Sequence, residues 1–514
     1  MKKIITFLTS FLHKREYQAL LGIAFISFCL HLYLIPRLNI IEDESAYMQD
    51  AAQISPHFLP FREFGGTKGP LWLVIFHGWQ QVFGRSILVT RLFASFAHIA
   101  SIFIIWHLAR SFSLSKRASM IAALLWGVSG VVVSLTSNIT HIPLELCCVL
   151  LAFLFLRKQI VYIPLAAALL WAALLMRASA VAFAPTLLLL ILMRADRWKA
   201  LARFCISGVV LILVTLSVVY PLYGWPKTAF FFNADATLIA NKQRQVYSNS
   251  APVSFFDGLY NAALPLRLDG LSILIPALLL PVLVAYSAIR KNAWPKSVVL
   301  VVCVWVGSFI VFYKGWGRSP TPFYPLESTP ALALAAALFI SSVGSMANKI
   351  KGKVVIFGIF AILFAIDLVT TYQRIPIAQY RGTVEVQAAL KVAQILKENV
   401  VPKEAIFTAQ PAYAYLSYLP LYGGYTHPGW YLSERAGYLP SEIRKVFLPD
   451  FDTVAGLVQR DVNWIVVDWR TNDVYFNAGT EATADLRNVL KEDFSPIATI
   501  PNPASRDIVI YKRK

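Results

Sequence analysis

Two acidic residues, Asp43 and Glu44, stand shortly beyond the first apolar run of the chain, in the stretch IIEDESAYMQDAAQI. A carboxylate can take the proton from an attacking hydroxyl, and a cation such as Lys68 can offset the charge of a phosphate. The chain is otherwise 57% hydrophobic, so this chemistry would take place beside a membrane. The alternative is that both carboxylates are simply solvated and Lys68 is an ordinary loop residue. The residues alone leave both interpretations open.

The stretch EDESAYMQDAAQI predicts a helix that lies on the membrane surface. Asp43, Tyr47 and Asp50 fall on one face of this helix. Asp43 and Glu44 point about 100° apart, because an α-helix turns once every 3.6 residues. Only one member of the acidic pair can then face a given site.

A second amphipathic helix is predicted over GPLWLVIFHGWQQVF, where His77, Gln80 and Gln81 share a narrow polar face. Its aromatic residues are expected in the membrane interface: Trp72, Phe76, Trp79 and Phe83. Between the two helices, the glycines of FGGTKGP allow a tight bend around Lys68. This pattern suits a lipid phosphate whose head group lies at the bilayer surface. Asp43 would be the base, and Lys68 would contact the phosphate.

The loops that contain these residues must be connected by membrane-spanning helices. The chain has 514 residues, a mean hydropathy of +0.59 and only 15% charged residues, which is typical of a polytopic membrane protein. A span needs about 20 apolar residues, and by that measure the chain has about eleven spans. They are predicted at 17–35, 86–108, 118–136, 142–156, 160–176, 178–193, 204–222, 270–289, 297–313, 326–345 and 354–372.

The basic residues predict the orientation. They concentrate in the segment before the first span and in short segments after every second span, where only Glu16 and Asp196 are acidic: 1–16, 109–117, 157–159, 194–203, 290–296 and 346–353. Lys and Arg accumulate on the cytoplasmic side of membrane proteins, so the N-terminus is expected in the cytoplasm and Asp43 outside it. The net charge of +19 therefore indicates topology and contact with anionic lipid, and not a nucleic-acid partner.

Residues 373–514 contain no apolar run long enough to span a bilayer. Helix-like stretches (VEVQAALKVAQILKEN, TVAGLVQR) alternate there with strand-like ones (EAIFTA, VNWIVVDW, RDIVIYK). The predicted architecture is an all-α polytopic membrane domain over 1–372, with a catalytic first external loop over 36–85. A small α/β extracytoplasmic domain over 373–514 follows it.

Further ionisable residues lie at the outer ends of predicted spans, where buried charge tends to mark function. Arg91 and Arg177 are candidates for binding the donor phosphate. The candidates for lining a substrate cavity are Tyr47, His141, Glu145, Arg318 and Tyr324. His427 could face the same opening. For each residue singly, an interfacial anchor or a structural contact is the alternative.

Four segments carry a family resemblance: DESAY, FGGTKGPLW, FGRSILVTRLFA with Arg91, and NITHIPLE with Glu145. Through them the chain resembles the polyprenyl-phosphate-dependent glycosyltransferases of the GT-C superfamily. The bacterial branch in question is related to dolichyl-phosphate-mannose protein mannosyltransferases and to the aminoarabinose transferase that modifies lipid A. Members often have a Lys-Pro-Pro-Leu-like sequence, and Lys68-Gly69-Pro70-Leu71 departs from it at Gly69.

The resemblance implies that Asp43 is the general base, that Glu44 orients it and that Lys68 contacts the donor phosphate. It implies an inverting hexosyl- or pentosyltransferase at the outer face of the cytoplasmic membrane. The donor would be a polyprenyl-phosphate-linked sugar, and the acceptor a hydroxyl of an envelope glycolipid, glycan or protein. Some members bind a divalent metal and others need none. The sequence shows no tight ligand cluster, so no metal ligand or cofactor is assigned.

Two other function classes fit a polytopic chain. A transporter or flippase of lipid-linked glycans commonly contains inverted repeats, and the sequence shows no such symmetry. A non-enzymatic scaffold, whose soluble tail binds a partner, would leave the ionisable residues on the outer side without a purpose.

Overall fold

The computed structural model describes residues 14–56, 59, 69–138, 141–224, 270–289, 296–314, 324–346, 350–374, 383–422, 458–472 and 481–514. The chain forms two compact units. The first comprises Met1–Leu34, Ala94–Val214 and Val246–Arg374, and the second comprises Ile35–Phe93, Thr215–Gln245 and Ile375–Lys514. The loop after the first helix thus belongs to the same unit as the C-terminal part of the chain. The functional division into 1–372 and 373–514 stays a prediction.

The longer helices of the described residues follow one another along most of the chain. In chain order they are α1 (Arg15–Leu34), α2 (Glu42–Gln53), α3 (Pro70–Phe83), α4 (Ile87–Ser111), α5 (Lys116–Val128), α6 (Gly130–Ser137), α7 (Ile142–Leu156), α8 (Ile163–Met176), α9 (Ala184–Leu192), α10 (Arg197–Tyr223), α11 (Leu271–Ile289), α12 (Lys296–Lys314), α13 (Thr329–Met346), α14 (Ile350–Arg374), α15 (Val386–Asn399), α16 (Ala412–Ser417) and α17 (Glu481–Asp493).

Within the described ranges, four helical segments are long and apolar enough to cross a bilayer: Arg15–Leu34, Ile87–Ser111, Arg197–Leu222 and Leu326–Gly344. Helices α5 and α6 bend by 49° relative to each other and together make a fifth candidate. The chain is therefore a multi-pass membrane protein. Every predicted span overlaps a helix, but several of these helices are shorter than a full crossing, so the number of eleven stays a prediction.

Small residues let the helices of the first unit pack closely. Helix α13 has the sequence TPALALAAALFISSVGSM, and most of its residues from Thr329 to Ile340 are buried. A Cβ atom added at Gly127 would lie 2.7 Å from Cδ1 of Ile102, and one added at Gly130 would lie 2.7 Å from Cβ of Thr371. Close approach through small residues is the usual way in which membrane helices gain packing contacts.

A four-stranded mixed sheet forms the centre of the C-terminal part of the second unit. Its strands are β1 (Ile406–Phe407), β2 (Trp464–Val467), β3 (Phe494–Ile500) and β4 (Ile508–Arg513), in the order β1-β2-β4-β3. Strands β1 and β2 are parallel, and the other pairs are antiparallel. A small hydrophobic core packs with them, consisting of Phe407, Ala409, Val458, Val462, Ile465, Leu486, Val489 and Phe494.

Helices α2 and α3 lie where the sequence predicts them, but the surroundings of α3 differ from the expectation. Trp72 and Phe76 are fully buried instead of facing the interface, because both rings pack on Phe93 at centroid distances of 5.2 and 5.4 Å. The polar face of α3 is turned to α2: Nδ1 of His77 donates to the carbonyl of Ala51 over 2.7 Å. Helix α3 is therefore a support for α2.

Candidate active site

Glu44 and Arg91 form a fully buried ion pair at the start of helix α2. Nε of Arg91 donates a hydrogen bond to Oε1 of Glu44 over 2.7 Å, and Nη2 of Arg91 donates one to Oε2 of Glu44 over 2.8 Å. Both side chains have no solvent exposure. Such a bidentate pair is among the stronger side-chain contacts in proteins, and it fixes the direction of both groups. Glu44 therefore anchors the helix and cannot act as a solvent-facing base.

The remaining donors of Arg91 bind the backbone just ahead of α2. Nη1 donates to the carbonyls of Ile35 and Leu38, and Nη2 donates to the carbonyl of Asn39 over 3.1 Å. These contacts leave the prediction that Arg91 binds the donor phosphate without structural support, and it stays a prediction. A guanidinium has five N–H donors, and here they serve one carboxylate and three carbonyls.

Asp43 has a different environment from its neighbour. Its side chain is partly exposed, whereas every residue from Glu44 to Ala51 is buried. It lies in the first turn of α2, where no side-chain cap occupies the helix N-terminus. The positive end of a helix dipole stabilises a carboxylate at such a position. Of the predicted polar face, only Asp43 reaches the surface, since Tyr47 is 2% exposed and Asp50 is fully buried.

The first unit holds a second cluster of charge around Arg177. The backbone of Arg177 is extended between α8 and the turn Ala178–Phe183. Nη1 of Arg177 is paired with Oε1 of Glu327 and lies 3.9 Å from Oε2 of Glu145. Ser179 also donates to Glu327 over 2.8 Å. All these side chains are buried, so the cluster ties four helical segments together.

Two carboxylates surround the guanidinium of Arg177, which disfavours a phosphate ligand at that position. Glu145 lies in the first turn of α7, and the carbonyl of His141 accepts its N–H over 3.0 Å. His141 is 1% exposed. His141, Glu145 and Arg177 thus belong to the buried framework of the first unit. The substrate-cavity role of His141 and Glu145 and the phosphate-binding role of Arg177 stay predictions.

Several predicted site residues lie outside the described residues, namely Lys68, Arg318 and His427. For Tyr324 the structure describes the backbone, which begins the short helical turn Tyr324–Ser328. Among the residues that the structure describes, no three histidine, cysteine or carboxylate side chains lie together in a way that could hold a metal ion.

Two residues outside the predicted site contact residues within it. Gln410 follows strand β1 and accepts a hydrogen bond from Oγ of Ser45 in α2. The carboxylate of Glu327 accepts hydrogen bonds from Arg177 and Ser179. Its backbone carbonyl accepts a hydrogen bond from the indole N–H of Trp305 over 3.1 Å. The segment YPLESTP contains the only signal for Glu327, an acidic residue at the start of a predicted span. Gln410 has no comparable signal.

Comparisons with known proteins place the fold. No family model matches the sequence, and no curated protein matches it. Solved structures do match. ArnT from Cupriavidus metallidurans, bound to undecaprenyl phosphate, is 13% identical with a TM-score of 0.62, and the match covers 95% of this chain and 97% of that one. The chain has the GT-C fold.

Archaeal proteins with the GT-C fold match as well. The Archaeoglobus fulgidus oligosaccharyltransferase, tethered to an acceptor peptide, is 13% identical with a TM-score of 0.54, over 97% of this chain and 75% of that one. AglB from the same organism, in complex with an inhibitory peptide and a dolichol-phosphate, is 14% identical with a TM-score of 0.50, over 95% of this chain and 74% of that one. The GT-C resemblance that the motifs indicate is thereby confirmed at the level of fold.

Proposed function

We propose that this protein is an inverting glycosyltransferase that uses a polyprenyl-phosphate-linked sugar. It would transfer the sugar to a hydroxyl of an envelope glycolipid, glycan or protein at the outer face of the cytoplasmic membrane. The observation that carries the proposal is the contrast within the acidic pair. Asp43 is a partly exposed carboxylate in the first turn of a helix that Glu44 and Arg91 hold rigidly.

The reaction requires one base. The acceptor oxygen attacks the anomeric carbon from the side opposite the phosphate, and its bond to carbon forms as the bond between that carbon and the phosphate oxygen breaks. Asp43 takes the acceptor proton, and polyprenyl phosphate leaves with the electron pair. A phosphate is a good leaving group, so this chemistry needs little help from a general acid.

Lys68 is the proposed partner of the leaving phosphate. It stands two positions before Pro70, the first residue of α3, in a glycine-rich segment that connects α2 to α3. A lysine ammonium at that place would offset the charge that develops on the leaving group. Arg91 is not part of this proposal, because its donors are occupied by Glu44 and by the backbone.

The solved structures support a lipid-phosphate donor. One neighbour in fold is bound to undecaprenyl phosphate and another to a dolichol-phosphate. A third is tethered to an acceptor peptide. In these structures a similar fold binds either a polyprenyl phosphate or an acceptor. The reaction proposed for Asp43 and Lys68 needs both kinds of ligand.

Transfer by the purified full-length chain in detergent micelles tests the proposal. Micelles have no second compartment, so transport or flipping leaves no product, whereas group transfer does. The chain is incubated with polyprenyl-phosphate-linked sugars and with extracted envelope lipids and glycans. We expect mass spectrometry to find an acceptor heavier by one sugar residue. Activity confined to sealed liposomes, with unchanged acceptors in micelles, would support a transporter instead.

A further inference from the structure

The backbone just ahead of α2 is held by the C-terminal part of the chain. Ile40 and Val384 exchange two backbone hydrogen bonds, over 2.8 and 3.0 Å. Beside them, Nδ2 of Asn39 donates to Oγ1 of Thr383 over 3.2 Å. These residues stand directly before Glu42, where α2 begins. The segment that leads into the helix is therefore fixed from the C-terminal side.

The first turn of α2 is held by the same part of the chain. Oγ of Ser45 donates to Oε1 of Gln410, and both side chains are fully buried. The N–H of Ser45 donates to the carbonyl of Ile41 over 3.1 Å, which closes the first turn. Asp43 stands two residues before Ser45 in that turn. A restraint on Ser45 is therefore a restraint on the backbone that carries Asp43.

Gln410 is itself fixed to the sheet. Its backbone N–H donates to Oγ1 of Thr408 over 3.1 Å, and the hydroxyls of Thr408 and Thr471 lie 3.1 Å apart. The N–H of Ala409 donates to Oγ1 of Thr471 over 3.0 Å. Within the described residues, Nε2 of Gln410 has no hydrogen-bond partner, so the bond with Ser45 is the side chain's one polar contact.

We propose that Gln410 is a positioning residue for Asp43, acting through Ser45 and the first turn of α2. The inference rests on the proposed function, since it assumes that Asp43 is the base. Gln410 is not a catalytic residue, because it touches Ser45 and not the reacting atoms. The C-terminal part of the chain would thereby set the geometry of proton transfer.

The chain offers a matched control at Tyr415. The hydroxyl of Tyr415 lies 2.9 Å from Oγ1 of Thr90, a residue of α4. Like Gln410, Tyr415 belongs to the segment around α16, and its polar contact is with an earlier residue of the same unit. Its hydrogen bond reaches α4 and not α2, so the variant Tyr415→Phe removes a comparable bond without releasing the turn that carries Asp43.

The test compares Gln410→Met, Ser45→Ala, the double variant and Tyr415→Phe in the micelle transfer assay. A displaced base slows the chemical step, so we expect kcat to fall about tenfold in each single variant while the donor KM is unchanged. The double variant should fall no further, because both changes break the same bond. Tyr415→Phe should keep the kcat of the unchanged protein.

Five outcomes separate the possibilities. A folded Ser45→Ala or Gln410→Met variant with full kcat would overturn the inference, and so would losses that multiply in the double variant. A rise in donor KM with unchanged kcat would assign Gln410 to binding and would overturn it too. If Gln410→Met fails to fold, Ser45→Ala removes the same bond from the other side. Absence of transfer by the unchanged protein would instead count against the proposed function.

Discussion

The two adjacent carboxylates of α2 have opposite surroundings. Glu44 is buried against Arg91, whereas Asp43 is partly exposed. Both oxygens of Glu44 accept hydrogen bonds from Arg91, so the pair fixes the direction of this carboxylate. Asp43 is partly exposed, so a substrate can reach it. This difference in environment supports the proposal that Asp43 is the base and that Glu44 anchors the helix.

The variant Arg91→Met tests the anchoring role. It leaves Glu44 as a buried charge without its partner, a change that typically costs about 3–5 kcal/mol of unfolding free energy. We expect a much lower unfolding temperature in detergent. The matched control is Lys116→Met, because Lys116 pairs with Glu16 at the exposed surface, and its unfolding temperature should hardly change. A stable Arg91→Met variant with weakened donor binding would contradict the anchoring role and support the phosphate role of Arg91.

Asp468 provides a pH-dependent prediction. Burial raises the pKa of this carboxyl above its ordinary value, although the N–H and hydroxyl of Thr471 and the hydroxyl of Tyr413 offset part of the shift. The folded state therefore favours the protonated acid, and ionisation costs stability as the pH rises through the raised pKa. Asp468→Asn keeps an oxygen acceptor without the charge.

We expect the stability of Asp468→Asn, relative to the unchanged protein, to grow from acidic to neutral pH. Thermal unfolding measured across that range gives the difference at each pH. The two proteins should converge below the ordinary pKa of an aspartate, where both side chains are neutral. A difference that stays constant across the range would show that burial does not raise the pKa.

At the scale of the elements, the sequence predicted the apolar helices, the amphipathic helices α2, α3 and α15 and most of the strands, but not α16 and α17. Helix α2 occupies the predicted amphipathic stretch, and the angle between successive residues correctly separates Asp43 from Glu44. Strand β3 was not predicted, and it contains Pro496, a residue type that is unusual inside a strand. The sheet accepts it since β3 is an edge strand with a register shift at that residue.

Contacts between distant parts of the chain could not be predicted in the same way. Arg91 stands out in the sequence as a charge in a span, but nothing local indicates that it binds Glu44 and the carbonyl of Leu38. The bridge between Ile40 and Val384 is equally invisible, because it joins two short stretches far apart in the chain. Such pairings depend on the tertiary fold and leave no periodic signal.

Helix packing in the first unit leads to a prediction at Gly130. A Cβ atom there would lie 2.7 Å from Cβ and Oγ1 of Thr371 in α14, so Gly130→Ala forces α6 away from α14. Overpacking of this kind costs about 1–3 kcal/mol. The matched control is Gly208→Ala in α10, where an added Cβ meets nothing within 4 Å. The unfolding temperature should fall for Gly130→Ala and stay unchanged for Gly208→Ala. Equal unfolding temperatures for the two variants would contradict the close packing of Gly130 against Thr371.

At the scale of the whole molecule, the distribution of basic residues predicts a cytoplasmic N-terminus and an extracytoplasmic C-terminal domain. Alkaline phosphatase is active only outside the cytoplasm, and green fluorescent protein fluoresces only inside it when exported through the general pathway. Fused after Lys514, the phosphatase should be active and the fluorescent protein dark. The opposite pattern would place Asp43 on the cytoplasmic side and would contradict the outer-face reaction.

The central proposal is that Asp43 deprotonates the acceptor hydroxyl that receives the sugar from the lipid carrier. The most direct measurement is the transfer rate of Asp43→Asn in micelles at saturating donor, compared with the rate of the unchanged protein. Asp507→Asn, which neutralises an exposed carboxylate of the C-terminal part, is the control. Loss of a general base should slow Asp43→Asn by about 10²–10⁴-fold without lowering its unfolding temperature, while Asp507→Asn keeps the full rate. A folded Asp43→Asn variant that transfers sugar at the rate of the unchanged protein would contradict this account.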